Sequence, residues 1–388
     1  MAADVVIVGA GVIGLSSAIR CADAGLDVVV LDPDPGRGAS WAAAGMLAPV
    51  TELHYGETDL LALTLASSAA WPDWAADLAD RGADVGYARC GSLMVARAAD
   101  DAAELRRMMA TQHALGLESE WLRSRDARQA EPALAPSVRG AVHVPGDHQV
   151  DNRALVTGLL GIVERHPAIV LRRQGVRAVT RDGERVTGVV LDDGAGVAAG
   201  AVVLAAGAWS SQVEGLAGLL PPVRPVKGQL LHLRSATGPL ATRNLRGIEV
   251  YVVNRADGRI VVGATVEERG FDTSVTAGGV HELLRAAWEL LPGIDEAVFV
   301  EAIAGLRPGS PDNAPLLGPV GSHPGLVVAT GHHRNGVLLS PITAEVVAAH
   351  VTGAPVEVRH GPVTVDLDAF SPSREPSRTP ADPVPATP

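Results

Sequence analysis

The sequence predicts a two-domain α/β protein built on two sheets of different kinds. At the N-terminus a strand–helix–strand unit begins with Asp4–Gly9, whose consecutive β-branched residues are typical of a strand buried on both faces. Beyond Gly140 short strand-like runs dominate, and two of them are joined by the turn signal Ala256-Asp257-Gly258. We therefore predict one largely parallel sheet covered by helices and a second, mostly antiparallel sheet.

The first unit is compact. A helix over Val12–Ala24 ends at Gly25, a natural residue just beyond a helix, and a second strand covers Val28–Asp32. Further helices are predicted around 60–80 and 101–115, and over Arg153–His166, His281–Leu291 and Thr343–His350. Further strands are predicted over Ala141–Val144, Ile169–Arg172, Ala178–Thr180, Val186–Leu191, Ala201–Ala205, Gln229–Arg234, Glu249–Asn254, Arg259–Thr265, Phe299–Ile303 and Leu326–Ala329.

The pattern along the chain suggests domain boundaries. We predict a discontinuous first domain of 1–84, 145–215 and 306–356, and a second domain of 85–144 and 216–305. Asp151 or Asn152 is expected to cap the helix that follows it, and a loop rich in Gly and Pro is expected after Ile303. Residues 371–388 are rich in proline and poor in apolar residues, which predicts a disordered tail.

Composition narrows the class of partner. The chain has 388 residues, 47% of them hydrophobic, with 32 basic and 44 acidic side chains and a net charge of −12. This balance argues against nucleic acid or an anionic membrane surface, since both reward clustered Lys and Arg. Cys21 and Cys90 fit buried thiols better than a disulfide, and no ligand spacing suggests a metal. Without a long apolar stretch, we expect a cytoplasmic protein.

A glycine motif stands between the first strand and the first helix. Gly9-Ala10-Gly11-Val12-Ile13-Gly14 fits GxGxxG: the first glycine makes a tight turn, the second lets the backbone approach a pyrophosphate, and the third lets helix pack on strand. Asp32 closes the second strand, where a ribose hydroxyl pair needs an acceptor. An acid at this place disfavours NADP, so the sequence predicts a Rossmann-like site for FAD or NAD.

Two runs of small residues favour FAD over NAD. Ala42–Leu47 follows the acidic strand closely, so its backbone could lie against a ligand, although close helix packing explains the run equally well. A second run, Val203–Ser210, is a strand that ends in small residues and could approach the dinucleotide from the other side.

With the motifs nearer the C-terminus, these segments resemble the D-amino-acid-oxidase-like flavoproteins, and among them the glycine oxidases of bacterial thiamine biosynthesis. The resemblance runs from residue 4 to about 350. The matching segments are GAGVIG at Gly9–Gly14, AAAGML at Ala42–Leu47, AAGAWS at Ala205–Ser210, PVKGQ at Pro225–Gln229, YVVNR at Tyr251–Arg255, GRIVVGAT at Gly258–Thr265, GLRPG at Gly305–Gly309 and GHHRNG at Gly331–Gly336.

The resemblance implies noncovalent FAD and assigns residues to it. The implied and motif-derived cofactor contacts are Gly9, Gly11, Val12, Ile13, Gly14, Asp32, Ala44, Gly45, Met46, Val176, Gly207, His332, His333, Arg334, Asn335, Gly336, Val337 and Leu338. It places the substrate carboxylate on Arg307, Arg334 and Tyr251. The chain departs from the family at Asp32, which is more often Glu, and at Val266 and His333, which hold Met and an aromatic residue in relatives.

Chemistry supports some of these assignments more than others. A guanidinium offers a planar, permanently charged fork to a carboxylate, and Arg307 and Arg334 both stand among glycines. An interdomain salt bridge at Arg307, a loop-stabilising role at Arg334 and a core role at Tyr251 stay open as alternatives. A general base at His332 or His333 is not required, because a neutral amine already assists hydride loss and the protein must chiefly orient it.

The resemblance implies oxidation of glycine, and also of sarcosine and small D-amino acids, by oxygen. Its products would be glyoxylate, ammonia and hydrogen peroxide, and its imine intermediate would pass to a thiazole synthase. A dehydrogenase that uses another electron acceptor and a non-catalytic flavin-binding module remain alternatives. The oligomeric state, monomer or homo-oligomer, is left open.

Overall fold

The computed structural model describes residues 3–361 and 363–375. Its strands are β1 (Ala3–Val8), β2 (Val28–Leu31), β3 (Met46–Leu47), β4 (Ser92–Ala96), β5 (Glu120–Arg123), β6 (Gly140–Val144), β7 (His148–Gln149), β8 (Ile169–Arg172), β9 (Val176–Asp182), β10 (Arg185–Leu191), β11 (Gly196–Leu204), β12 (Arg224–Arg234), β13 (Asn244–Arg246), β14 (Tyr251–Asn254), β15 (Arg259–Gly263), β16 (Val298–Gly309), β17 (Leu316–Pro319), β18 (Leu326–Thr330), β19 (Arg359–His360) and β20 (Val363–Thr364).

Helices and short 3₁₀ turns join these strands. The helices are α1 (Val12–Asp23), α2 (Ala39–Ala42), α3 (Thr58–Asp80), α4 (Ala99–Ala114), α5 (Ser124–Ala130), α6 (Asn152–Arg165), α7 (Ala277–Leu290) and α8 (Gly336–Thr352). The 3₁₀ turns are Gly207–Gln212, Pro292–Glu296, His333–Asn335 and Leu367–Phe370. No helix within these described residues is long and apolar enough to cross a membrane.

The first sheet has the strand order β17-β18-β11-β1-β2-β8, with β10 and β9 branching from β11. β1 runs parallel to both β2 and β11, and β11 runs parallel to β18. β1 is apolar almost throughout because both of its faces are covered. On one face, α1, α3, α6 and α8 contribute to one core with it, and on the other face β1 packs against β9, β10 and the segment 213–223. The largely parallel sheet that the sequence predicts is present, but these helices cover one face and not both.

The second sheet has the order β16-β12-β15-β14-β13-β4-β6-β5. Its pairs are antiparallel except for β13 with β4. One face packs on α7 through Leu283 and Leu290. The other face presents Leu230, Val253 and Val261 to the small residues of α2 and its neighbours. The predicted combination of a parallel and a mostly antiparallel sheet is therefore confirmed. All strands of the first sheet lie in the segments assigned to the first domain, although the boundary at 306 falls inside β16.

Two local predictions concern the start of α6 and the segment after Ile303. Asp151 caps α6, accepting hydrogen bonds from the backbone N–H groups of Arg153 and Ala154 at 3.0 and 3.2 Å, as expected. The loop predicted after Ile303 begins later than expected, at Ser310, because β16 continues to Gly309 in register with β12. Its glycines serve close packing: a Cβ on Gly305 would lie 2.5 Å from that of Ala42.

The final helix and the tail also differ from expectation. α8 begins at Gly336 rather than Thr343 and continues through Pro341. The carbonyl of Val337, which Pro341 cannot bind, instead accepts the Ser340 hydroxyl at 2.9 Å. The predicted disordered tail begins too early, because Arg374 forms an ion pair with the buried Asp312 at 2.7 Å. Residues 376–388 of that predicted tail lie outside the described residues.

Candidate active site

A cavity of about 2300 Å³ lies between the two sheets. Residues of the glycine turn line one end, and β12, β14 and β16 of the second sheet line the other. Pockets for a single small ligand usually measure about 300–1,000 Å³. The space therefore suits an extended ligand together with a second, smaller molecule.

The glycine turn forms a cradle at the start of α1. Gly9 has φ +107°, and a side chain there would overlap the Ala205 carbonyl. Gly14 lies behind the cavity, where a Cβ would overlap the Gly9 carbonyl, so it allows α1 to pack on the turn. The N–H of Val12 points out of the helix and donates to the Ser40 hydroxyl at 3.0 Å. Such an N-terminus, with open backbone around Gly11, favours a phosphate.

Asp32 lies at the end of β2 beside this cradle. Its carboxylate accepts the N–H of Ala10 at 2.7 Å and that of Asp34 at 2.8 Å. Burial raises the pKa of Asp32 above its ordinary value, while these two bonds oppose the rise. The bonds fix the carboxylate at the cavity wall, where it can accept from ribose hydroxyls.

The small-residue run forms a second wall. Gly45 has φ +77°, and a Cβ there would overlap the Val150 carbonyl. Arg255 holds the run by donating to the Ala44 carbonyl at 2.6 Å and to the Gln149 side chain at 2.6 Å. This wall is therefore rigid backbone that a planar ring could approach closely.

Most residues predicted to bind the cofactor line this one cavity. They come from six separate stretches of sequence, and Gly14 alone of the predicted set lies behind the wall. The lining members are Gly9, Gly11, Val12, Ile13, Asp32, Ala44, Gly45, Met46, Val176, Gly207, His332, His333, Arg334, Asn335, Gly336, Val337 and Leu338. Their individual roles in binding stay predictions.

Arg307 and Tyr251 meet on the cavity face of the second sheet. Arg307 lies on β16, not in a loop, and donates to the carbonyls of Thr265 and Lys227 at 3.2 and 3.4 Å. Burial raises the pKa of the Tyr251 hydroxyl, while Arg307, which bonds to it, opposes the rise. Glycines make the space for both: a Cβ on Gly228 would lie 2.5 Å from the Arg307 guanidinium, and one on Gly263 would overlap the Tyr251 ring.

Arg334 has a different environment. Its Nη2 donates to the Glu57 carboxylate at 2.8 Å, and its Nε lies 3.2 Å from the Glu52 carboxylate. Glu52 also forms an ion pair with Arg246, the last residue of β13. Burial, together with Arg334, lowers the pKa of Arg246 to about 10, so it stays charged at neutral pH. The carboxylate-binding role predicted for Arg334 stays a prediction, and its guanidinium is already engaged by two acids.

The two histidines are both neutral. Burial lowers the pKa of His332 to about 3, and its Nε2 lies 3.0 Å from the Thr343 hydroxyl. Burial and nearby arginines lower the pKa of His333 well below its usual value, and its backbone has φ +47°. Neither ring is placed to act as a strong base at neutral pH. Among the residues that the structure describes, no cluster of His, Cys, Asp and Glu is arranged to hold a metal.

Sequence reasoning missed three cavity residues. Ser40 lies on α2, and its hydroxyl accepts the N–H of Val12 at the start of α1; hydroxyls commonly satisfy helix ends, but this one is distant in sequence. Glu52 lies in a turn held by Asp147, which accepts the N–H groups of Val50 and Thr51 at 3.1 Å each. Arg246 lies on a strand of three residues, too short to show a period.

Residues 4–350 of the chain match the family described as FAD dependent oxidoreductase. The protein therefore belongs to that family, and its cofactor is FAD. It is 36% identical to the glycine oxidase of Geobacillus kaustophilus, over 89% of this chain and 92% of that protein. The crystal structure of that organism's glycine oxidase superposes with a TM-score of 0.89 at 34% identity, covering 96% of this chain and 99% of that one.

A further relative carries an additional segment. The bifunctional protein ThiO/ThiG of Synechocystis is 36% identical over 96% of this chain, which spans 54% of that protein. The residues of the cradle fit FAD on the observations above: Gly11 without a side chain at the cavity wall, the N-terminus of α1 beside it, the Asp32 carboxylate at the end of β2 and a rigid wall at Ala44–Met46. The open part of the cavity beyond this wall contains Arg307, Tyr251, Glu52 and Arg246.

Proposed function

We propose that this protein is an oxidase of glycine, with sarcosine and small D-amino acids as further substrates. The reaction converts glycine, oxygen and water to glyoxylate, ammonia and hydrogen peroxide. The observation that carries this proposal is the pairing of Arg307 with Tyr251 on the sheet face opposite the FAD cradle. The similarity to glycine oxidases over nearly the whole chain supports it.

Arg307 and Tyr251 would bind the substrate carboxylate. The guanidinium supplies parallel N–H donors, and the neutral phenol supplies one O–H donor. The flanking carbonyls of Thr265 and Lys227 fix the guanidinium, so the carboxylate is bound in one orientation. Because the cradle lies across the cavity, this orientation aims Cα at the cofactor wall.

FAD, when bound, supplies the acceptor for the hydride that leaves Cα. The nitrogen lone pair forms the C=N bond of the imine as the hydride departs, and water then hydrolyses the imine to glyoxylate and ammonia. The substrate amine must therefore be neutral, and the neutral His333 lies near Arg334 and Arg307, whose positive charges disfavour an ammonium. The chain's own contribution is binding, orientation and exclusion of water.

We propose that FAD is held without a covalent bond to cysteine. The chain has two cysteines, both free: Cys21 is buried in α1 and Cys90 precedes β4, and neither lines the cavity. Purified protein should be yellow, and heat or acid should release intact FAD into the supernatant. Flavin that remains with the precipitate would contradict a noncovalent site.

We also propose that the imine serves thiazole formation in thiamine biosynthesis. The relative named ThiO/ThiG supports this placement, because a single chain there joins a segment similar to this protein to a second segment. Transfer to a thiazole synthase would require the imine to leave before hydrolysis. Trapping of imine-derived product by added thiazole synthase, at the expense of glyoxylate, is the expected result.

One experiment tests the proposed reaction directly. Under anaerobic conditions, glycine, sarcosine, D-alanine and D-proline are each titrated into the holoprotein while flavin absorbance is recorded. Bleaching by glycine or sarcosine, followed by peroxide formation when oxygen is admitted, is expected. Bleaching without oxygen consumption, but with turnover of an artificial dye, would indicate a dehydrogenase. No bleaching by any amine would indicate a non-catalytic flavin-binding protein.

A further inference from the structure

Glu52 occupies an unusual position in the substrate end of the cavity. Its carboxylate lies between two arginines, with Oε1 paired to Arg246 and Oε2 lying 3.2 Å from Nε of Arg334. The side chain is 13% exposed, so water screens it little. The turn that carries it is fixed by Asp147, whose carboxylate accepts the Thr51 hydroxyl at 2.6 Å. Glu52 is therefore held in place rather than free to swing away.

Arg246 lies within reach of a substrate bound at Arg307. It is the cross-strand partner of Tyr251 in the antiparallel pair of β13 and β14, and such partners have Cβ atoms about 4.5–5.5 Å apart. Tyr251 in turn bonds to Arg307. The three side chains form a row along one face of the sheet, in which Tyr251 interacts with both arginines.

The charges along this row are balanced by acids at one end. Arg246 and Arg334 contribute two positive charges, and Glu52 and Glu57 contribute two negative charges that contact them. Arg307 lies beyond this cluster, next to the neutral Tyr251. A substrate with one carboxylate at Arg307 leaves the four-residue cluster undisturbed. A second anionic group near Arg246 would have to approach the Glu52 carboxylate, and like charges repel strongly at a site so little exposed.

We propose that Glu52 is a specificity-determining residue: by neutralising Arg246 it restricts this pocket to substrates with a single anionic group. The inference rests on the proposed function for the placement of the first carboxylate at Arg307. Its consequence is specific. Removal of the Glu52 charge leaves Arg246 as a cation at the far end of the row, and turns the pocket into one that accepts N-carboxymethyl amino acids.

The test uses two unreactive ligands that differ by one carboxylate. Methoxyacetate has the shape of sarcosine and one negative charge, and diglycolate has the shape of iminodiacetate and two. Both lack an amine, so the holoprotein binds them without turnover. Dissociation constants are measured by calorimetry and, independently, by perturbation of the flavin spectrum, for the wild type and for Glu52→Gln, Arg246→Gln and the double variant.

Wild type should bind methoxyacetate at least tenfold more tightly than diglycolate. Glu52→Gln should shift this ratio by about ten- to a hundredfold towards diglycolate, the range expected for one charge-assisted hydrogen bond gained. Arg246→Gln should shift it the other way, and the double variant should return it close to the wild-type value. Glu282→Gln is the matched control, because Glu282 lines the cavity but is exposed on α7, and it should leave the ratio unchanged.

A shift below threefold in folded, FAD-containing Glu52→Gln would overturn the inference. If Glu52→Gln loses FAD, Arg246→Gln is the deciding variant. An unchanged ratio of methoxyacetate to diglycolate binding in Arg246→Gln would then overturn the inference. The proposed function fails separately, if the wild type oxidises neither glycine nor sarcosine. In active enzyme, the same inference requires Glu52→Gln to gain turnover of iminodiacetate relative to sarcosine.

Discussion

Gly228 controls the position of the Arg307 guanidinium, and one methyl group should be enough to displace it. Gly228 on β12 and Arg307 on β16 lie on neighbouring strands. A Cβ at residue 228 would lie 2.5 Å from both Nη atoms and 2.6 Å from Cζ of Arg307. Ordinary contact between such atoms requires about 3.5 Å or more. The guanidinium must therefore move by roughly 1 Å, and it can do so because it is the far end of a flexible side chain.

The expected consequence of Gly228→Ala is loss of catalysis without loss of fold. A misplacement of about 1 Å at a substrate-positioning group can cost about a hundredfold in rate. Weakening of one charge-assisted hydrogen bond, worth about 1.5–3 kcal/mol, gives a similar range of about ten- to a hundredfold. We expect kcat/KM for glycine to fall by that factor, with part of the loss in kcat because Cα is no longer aimed correctly.

Peroxide formation under steady-state conditions measures the effect, and flavin content per protein shows that the cradle is intact. Gly278→Ala is the matched control, because Gly278 also lines the cavity but a Cβ there meets nothing within 4 Å. It should leave kcat/KM near the wild-type value. If Gly228→Ala also kept kcat/KM within about twofold while retaining FAD, Arg307 would not be the carboxylate ligand, since the displacement would be too large to be silent.

Four further results are expected. Gly11→Val should lose most bound FAD, measured as flavin per protein. A Cβ at residue 11 would lie 3.1 Å from the Ser40 hydroxyl, and the two methyl groups of valine would occupy the space that we expect a phosphate to take. Arg307→Ala should keep FAD but lose roughly ten- to a few hundredfold in kcat/KM, and Arg307→Lys should recover only part because it lacks the planar fork; near-normal kinetics in the alanine variant would move the carboxylate to Arg334. Arg334→Ala should lower the free energy of unfolding by roughly 3 kcal/mol in denaturant titrations, because the little-exposed Glu57 and Glu52 each lose one ion-pair partner, while Glu52 retains Arg246; an unchanged midpoint would show that the ion pairs with Arg334 are weak. Burial raises the pKa of Asp147 to about 6, so the folded protein keeps a proton that the unfolded chain releases near pH 4. The stability of the wild type relative to Asp147→Asn should therefore decrease by roughly 2 kcal/mol as pH rises from 4 to 6, and a constant difference across that range would contradict the raised pKa.

Motifs with a fixed backbone requirement were predictable from the sequence. The GxGxxG turn requires positive φ at Gly9 and close approach at Gly14, and each requirement excludes other residues. The first unit was therefore placed to within a residue or two at its ends. Asp32 follows from the same geometry, since the second strand of the unit ends beside the turn.

Features that depend on distant neighbours were not predictable. Gly305 and Pro308 are loop signals locally, but β16 persists because it pairs with β12 and packs on Ala42. Pro341 is a helix-breaking signal, and only the Ser340 hydroxyl explains why α8 continues through it. Glycines flank Arg334 in the sequence as they flank Arg307. The acids that contact Arg334, however, come from a segment far away in sequence, so the sequence does not reveal them.

The first sheet takes its strands from both ends of the chain, and this affects how the protein is made. Gly9 packs on Ala205, the residue that follows β11, and β11 pairs with β18, which is complete only at Thr330. During synthesis, the N-terminal turn must wait for most of the chain to leave the ribosome before its own sheet is finished. Such distant pairing slows folding and prolongs exposure of apolar strands. Residues of the early turn and of the late helix α8 line the same cavity, so a ligand that contacts both would stabilise the protein only after α8 has been synthesised.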